Sequence, residues 1–365
     1  MKRISDAVSG VDYAIADPAK ILAQKLAAKT NSNLPRNLKE VAESRGESSY
    51  VLDMGSYYLS FVQEGLGSKN IVADEMYRLT GRSYYKQIAQ DTVFAIINDL
   101  ITSGAQPLAL NAYWSTYDYK WFRDKKRMKD LIVGWQTACD KAHVVWAGGE
   151  TQSLPDIIQK GRIELAGSAI GIIQPKKRLV TGGKLRSGDT IILFASSGIH
   201  TNALTRARKA AQNLPQGFLT SINKTTYGEH LLKPSMVYTR LIQNILDQNI
   251  DIHYMVHITG HGWRKLMRAR KSFTYRIRAV PPIPTVLSVI QKATELTDKE
   301  MYATFNMGAG FAIFVAEKDT AQVIDISKKH LIQAYIAGVV ETGKKQIIIE
   351  PKNIVFQKES LQLRM

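Results

Sequence analysis

Strand-like apolar runs alternate with segments of helical periodicity along the whole chain, and no other feature limits the possible folds as strongly. Strands are predicted over 57–62, 108–114, 143–146, 163–173, 190–195, 252–257, 309–315 and 346–349. Helices are predicted over 21–29, 88–103, 127–141, 202–211, 234–248 and 283–295. Such interleaving argues against an all-helical or all-β chain and for an α/β fold, in the broad sense that includes α+β. The 365 residues are enough for two domains of ordinary size. The stretch 174–183 follows a long strand and combines Pro175, three cations and the Gly182-Gly183 pair, so it reads as the connection. The expected division is an N-terminal domain over 1–175 and a C-terminal one over 176–365. Residues 31–49 are polar and weakly patterned, as a loop or lid would be. No internal self-similarity is strong enough to read as a duplication.

Several classes fall away on composition. The 11 prolines and 25 glycines form no low-complexity tract, which excludes a collagen-like or largely disordered chain. A single cysteine, Cys139, excludes a disulfide framework and a multi-cysteine metal site. No apolar run approaches the roughly 20 residues of a membrane helix, and the first ten residues lack a signal-peptide apolar core. A cytoplasmic protein without a membrane partner is expected.

Charge is the unusual quantity: 49 Lys and Arg against 32 Asp and Glu give +17. Between 252 and 294 there is no carboxylate, while Arg264, Lys265, Arg268, Arg270, Lys271, Arg276 and Arg278 crowd together. A second run spans 124–129. Such runs ordinarily form a solvated helix face, and their functional use would be with anions. No nucleic-acid module accompanies them, so phosphate-bearing metabolites are the expected partners and nucleic acid is not.

Four patches carry chemistry. In Glu64-Gly-Leu-Gly-Ser-Lys69, Gly65 and Gly67 allow close backbone approach to phosphate, Lys69 offers a point charge and Glu64 can hold a cation. The spacing is not that of a P-loop. In the apolar helix 88–103, Asp91 and Asn98 share a face and Asp99 sits beside it. A carboxylate buried there needs donors or a metal, and oxygen ligands point to Mg²⁺. Gly148, Gly149, Glu150 and Thr151 follow a strand end, a common ligand position in α/β proteins, with Glu150 able to hold a cation or a ribose hydroxyl. The turn Ser196-Ser-Gly-Ile-His-Thr-Asn202 between a strand and a helix presents free N–H groups to an anion, with His200 placed for proton transfer.

Taken in this order, the segments resemble the aminoimidazole ribonucleotide (AIR) synthetase family, the ATP-dependent cyclo-ligases of purine biosynthesis. The resemblance runs from about Ser9 to Ile349. Its pieces are Gly10-Val-Asp12, 64–69, Asn98-Asp99 with Gly104-Ala105, 148–151, 196–202, His230-Leu-Leu-Lys-Pro234, His257-Ile-Thr-Gly-His-Gly262 and 301–308. It implies a two-domain fold whose N-terminal mixed sheets join two subunits into a barrel, hence a homodimer. It also implies ATP and Mg²⁺ as cofactors and cyclisation of formylglycinamidine ribonucleotide, with release of ADP and phosphate. By motif, Lys69 and Lys25 match lysines near the phosphates, Asp99 the Mg²⁺–ATP carboxylate with Glu64 as second metal ligand, and His200 the active-site histidine. ATP or its phosphates would also touch Gly65, Gly67, Asp91, Asn98, Gly148, Gly149, Glu150 and Thr151. Substrate would meet Ser197, Gly198, His200, Asn202, His257, Thr259 and Asn306.

The chain departs from the family pattern in places. Glu64 replaces an aspartate, Ala14 a second N-terminal aspartate, and Ala203 and His261 replace glycines. A glycine-rich nucleotide loop is absent from 31–49. A related small-molecule kinase of the thiamine-phosphate type, or a nucleotide-binding paralogue without turnover, are the alternatives.

Overall fold

The computed structural model describes residues 13–361 and 363, so the Gly10-Val-Asp12 motif lies outside it. Helix α1 (Tyr13–Ala28) precedes a six-stranded sheet. Its strands are β1 (Lys39–Glu40), β2 (Tyr50–Asp53), β3 (Tyr58–Gly65), β4 (Gln106–Thr116), β5 (Val145–Ser153) and β6 (Ile163–Ile173). They are ordered β1-β2-β3-β6-β4-β5, and only β4 and β5 run parallel. Helices α2 (Lys69–Thr80), α3 (Tyr85–Leu100) and α4 (Lys125–Ala142) complete this half. β6 alternates buried and more exposed residues, as a sheet covered on one face must. The cover is α3, so close that a Cβ on Gly167 would sit 2.9 Å from Ile96 Cδ1.

The second sheet is seven-stranded, ordered β10-β12-β7-β13-β11-β14-β15. It comprises β7 (Thr190–Ala195), β10 (Ile252–His257), β11 (Thr274–Ile277), β12 (Ala309–Val315), β13 (Ala334–Glu341), β14 (Gln346–Ile349) and β15 (Ile354–Gln357). β8 (Ser221–Ile222) and β9 (Thr225–Thr226) form a small separate hairpin. The remaining helices are α5 (Leu204–Ala210), α6 (Tyr227–Leu231), α7 (Thr239–Asp247), α8 (Thr285–Thr294), α9 (Asp298–Thr304) and α10 (Thr320–Lys329). Every residue of β10 and β12 is buried. That is why both read as unbroken apolar runs: helices and the other half cover both faces.

Three expectations change. β5 does not stop at 146 but continues through Gly148–Thr151, paired in parallel with β4, so that patch is strand and not a turn. The stretch 31–49 is no open loop, because it holds β1 and is pinned to the second half. Arg268 Nε donates to the Gly46 carbonyl at 2.8 Å, and the Tyr254 hydroxyl donates to Glu47. The basic run 264–278 is not a solvated helix face either. Arg264 donates to the carbonyls of Ala303 and Ser360, Lys271 to those of Gly183 and Leu185, and Arg276 pairs with Glu341 and Glu350. In the second run, Asp124 caps α4 and Arg127 reaches Asp74 and Asp124.

Helix α3 joins the halves with its polar stripe. Asp91 accepts from the Ser235 N–H at 2.7 Å and pairs with Lys69 Nζ at 2.6 Å. Lys69 Nζ also donates to the carbonyls of His200 and Lys233, each at 3.0 Å. Asn98 donates to the Met236 carbonyl and accepts from the Tyr238 N–H. Burial pushes Lys69 down and Asp91 up toward their neutral forms, and their mutual attraction opposes both shifts. Breaking such a buried pair strands one charge. Lys69→Met is therefore expected to lower unfolding stability by about 3–5 kcal/mol. The double variant Lys69→Met/Asp91→Leu should recover much of it, as read from urea-unfolding midpoints.

Candidate active site

A cleft of about 670 Å³ opens where the two halves face each other across α1. α1 contributes Lys20, Ala23 and Gln24, spaced so that one helical face meets the cleft. The end of β3 and the following turn contribute Glu64, Gly65, Leu66 and Gly67, and α3 contributes Ala95 and Asp99 one turn apart. From the second half come Thr201, Asn202, His257, Thr259, Gly260, His261, Lys265 and Arg268. Gly67 has φ +72 and open space where a side chain would stand, so its backbone is accessible to a ligand.

The chemistry is concentrated at two carboxyl groups. Burial, and then the neighbouring charge of Asp99, push Glu64 up to about 8, which favours a protonated Glu64 hydrogen-bonded to Asp99. Burial alone would raise Asp99 as well. The His257 imidazole, whose Nδ1 lies 2.7 Å from Asp99 Oδ1, together with Lys265 and the Glu64 hydrogen bond, carries it below the usual carboxylate range instead. Lys265 is buried in the same cluster, bonded to the Thr259 hydroxyl, and burial lowers it. Asn202 Nδ2, buried at the cleft wall, has no hydrogen-bond partner among the described residues, a donor left for a ligand.

This donor set fits Mg²⁺. Two apposed carboxyl groups present hard oxygens, and Mg²⁺ characteristically takes one or two carboxylates and completes its shell with phosphates and water. Among the described residues no group of three or more His, Cys, Asp or Glu is gathered to hold a metal by itself. Nucleotide phosphates would have to supply the rest.

Of the residues expected from sequence, Glu64, Gly65, Gly67, Asp99, Asn202, His257 and Thr259 meet in the cleft. Others do not. Lys69 has all three donors engaged and none for phosphate, and Asp91 and Asn98 are consumed in joining the halves. Lys25 is exposed and does not line the cleft, while Lys20 on the same helix does. Gly148, Gly149, Glu150 and Thr151 are exposed on the edge strand β5, away from the cleft wall. Ser197 donates through its hydroxyl to the Pro234 carbonyl, and Asn306 is buried holding the Ser196–Gly198 turn through Ser196 Oγ and the Gly198 carbonyl.

His200 is the largest correction. It is buried with φ +59, and its Nε2 accepts the Ser197 N–H at 3.2 Å, which puts the ring proton on Nδ1. Burial, with His257 and Lys69 nearby, drives it well below the usual histidine range. The buried ring holds the turn through Ser197 and does not line the cleft.

Lys20, Glu47, His261, Lys265 and Arg268 enter the cleft unannounced as site residues. Lys265 and Arg268, three apart where the backbone coils as a 3₁₀ helix, stood in the carboxylate-free run and share a face. Ala203 and His261, the two residues that replace glycines, have φ +56 and +69. That is the left-handed region glycine occupies at no steric cost. His261 packs 3.3 Å from the Asp17 carboxylate, and burial pushes it down to about 4.

Residues 46–173 match the family of AIR synthase related proteins, N-terminal domain, and residues 186–350 its C-terminal domain. A phosphoribosylformylglycinamidine cyclo-ligase of Methanocaldococcus jannaschii is 33% identical over 366 residues, covering 96% of this chain and 98% of the relative. The same-named protein of Methanococcus maripaludis is 32% identical, covering 86% and 88%. Among solved structures, the HypE–HypF complex matches with TM-score 0.61 at 15% identity, covering 89% of this chain and 95% of that one. AaThiL complexed with AMPPCP and TMP matches with TM-score 0.59 at 12% identity, covering 90% and 93%. These two likenesses show the fold.

The raised Glu64 has a consequence for stability. Folding holds its proton above the ordinary 4.5, so this group's contribution to stability is full below 4.5 and is lost as pH rises to about 8. Glu64→Gln mimics the neutral acid, and the variant should gain on the wild type across that window in denaturant titrations. A wild type that gains on the variant as pH rises would mean that Glu64 is ionised in the cleft.

Proposed function

This chain belongs to the AIR synthase related family, and on that premise we propose that it closes the imidazole ring of aminoimidazole ribonucleotide with ATP. The substrate is formylglycinamidine ribonucleotide, and the products besides the ring are ADP and phosphate. The observation that carries the reading is the cluster of Glu64, Asp99, His257 and Lys265 at the base of a nucleotide-sized cleft, in a chain that a cyclo-ligase relative matches over 96% of its length.

The formyl oxygen is a poor leaving group. Transfer of the γ-phosphoryl group to it makes phosphate the leaving group; the amidine-side nitrogen then bonds to the same carbon, loses a proton, and phosphate departs. Phosphoryl transfer asks for fixed positive charge and positioning more than for covalent chemistry. Lys20, Lys265 and Arg268 supply that charge around the cleft, and the glycine turn 65–67 lets backbone N–H groups approach the phosphates. Glu64 and Asp99 would hold Mg²⁺, which when bound would neutralise phosphate charge. Asn202 donates to a substrate oxygen. His257, oriented through Nδ1 by Asp99, is the group that takes or returns the proton at the ring-forming nitrogen. Thr259, held by Lys265, lines the same wall.

We infer a homodimer in the cytoplasm. Exposed Phe61, Leu108 and Ile170 on the first sheet support burial of that face against a second copy. The 1–175 and 176–365 division is retained on the same footing, since all strands of the first sheet precede 174 and all of the second follow it.

With the purified protein, ADP should form only when formylglycinamidine ribonucleotide is present, one per aminoimidazole ribonucleotide. ADP made by phosphorylating another acceptor in its absence would replace this reading by a kinase. Asp99→Asn should lower kcat by about 10²–10³-fold or more with the circular dichroism unchanged. Full activity at saturating Mg²⁺ would remove Asp99 from the metal.

A further inference from the structure

A second cavity, of about 460 Å³, lies between the halves away from the cleft, and the reaction proposed above uses none of its lining. Gln106 and His143 line it from the first half, and Thr239, Arg240, Asp247 and His330 from the second. Its size falls within the range of small-molecule sites, and a boundary between packed units is a frequent place for one.

Its polar groups are unevenly satisfied. Thr239 is 1% exposed, yet among the described residues its hydroxyl has no hydrogen-bond partner. A buried hydroxyl without a partner is costly, and a native structure ordinarily supplies something to meet it. Arg240 is exposed and bonds through Nε to the His143 ring. No carboxylate among the described residues forms an ion pair with its guanidinium. Asp247, the carboxylate of the cavity wall, is already engaged by Arg178 at 2.7 Å. Thr239 is also the first residue of the nine-residue α7, which begins without a side-chain cap, so the positive end of that helix lies at the same place. Two imidazoles, a guanidinium without an ion-pair partner and an orphaned hydroxyl belong to residues that line one cavity, beside the start of α7.

We propose that this cavity is a second ligand site, taking a small phosphate monoester whose dianion pairs with Arg240 and accepts from Thr239. A phosphoryl group has three terminal oxygens to meet this many donors, and guanidinium geometry suits it. The site contrasts with the cleft. There, cations face two carboxyl groups that suit a metal-bound nucleotide; here the donors have no carboxyl pair opposite them, and the anion binds without a metal.

Titration with inorganic phosphate and with ribose 5-phosphate, read in histidine-selective proton–carbon NMR spectra, tests this. The Cε1–H signals of His143 and His330 are expected to shift saturably. Arg240→Gln should weaken that response about 10-fold or more, as loss of a charge-assisted contact does. Thr239→Val, which keeps the side-chain shape, should weaken it too. The response of His257 in the cleft should be the same in all three proteins. Arg240 is exposed, so its variant keeps the fold. His143 and His330 signals that stay still through the titration, or that shift equally in wild type and Arg240→Gln, would overturn the proposal.

Discussion

Helix α3 carries two carboxylates and an amide into an interface from which water is excluded, and each of those groups has to be met there. Asp91 and Asp99 lie eight residues apart on one stripe, so a single rigid helix fixes their separation. They are met in opposite ways. Asp91 is saturated: an ammonium group, a backbone N–H and a hydroxyl surround it, and the ammonium is itself shared with two carbonyls. Asp99 is met by an imidazole and by another acid that must keep its proton to sit so close. The first arrangement needs nothing more. The second would be relieved by a cation displacing the proton.

The same reasoning separates two buried lysines that look alike in a sequence. Lys69 follows a glycine turn and invites a phosphate reading, but full burial obliges its ammonium to find acceptors within the protein, and it finds three. Lys265 is buried too, yet it sits at the cleft wall among groups whose protons and charges are shared. A cation whose hydrogen bonds are complete holds a structure together. One facing a proton-sharing pair can answer a ligand.

Much of this was legible from the residues. The apolar runs at 190–195, 252–257 and 309–315 coincide with β7, β10 and β12, because burial on both faces forces unbroken apolar sequence. Helix α2 was not, since its first residue sits in the glycine patch and its composition is half polar. α9 had a usable signal, the capping box of Thr297 and Glu300, as did α6 with Thr226 and Glu229. Strands β11 and β13 are stabilised by their neighbours and carry little pattern of their own. The site divides similarly. Glu64, Asp99 and His257 stood in recognisable motifs, whereas whether Lys69 or Lys265 faced the ligand depended on contacts across more than a hundred residues.

The basic excess acquires a physical role once those contacts are known. Most cations of the 264–278 run bond backbone carbonyls or carboxylates of distant segments: Arg264 reaches 303 and 360, Arg268 reaches 46 and 48, Arg270 reaches 42. A carbonyl satisfies the hydrogen bonds of a guanidinium without cancelling its charge. The run therefore ties the second half to the segment before β2, and the cations met only by carbonyls keep their charge. The chain's net charge of +17 attracts anions at long range, while Lys20, Lys265, Arg268 and Asn202 are donors that line the cleft itself. One charge distribution thus serves cohesion at short range and attraction at long range. The two are compatible because hydrogen bonding saturates at a few ångströms and the field of an uncancelled charge does not.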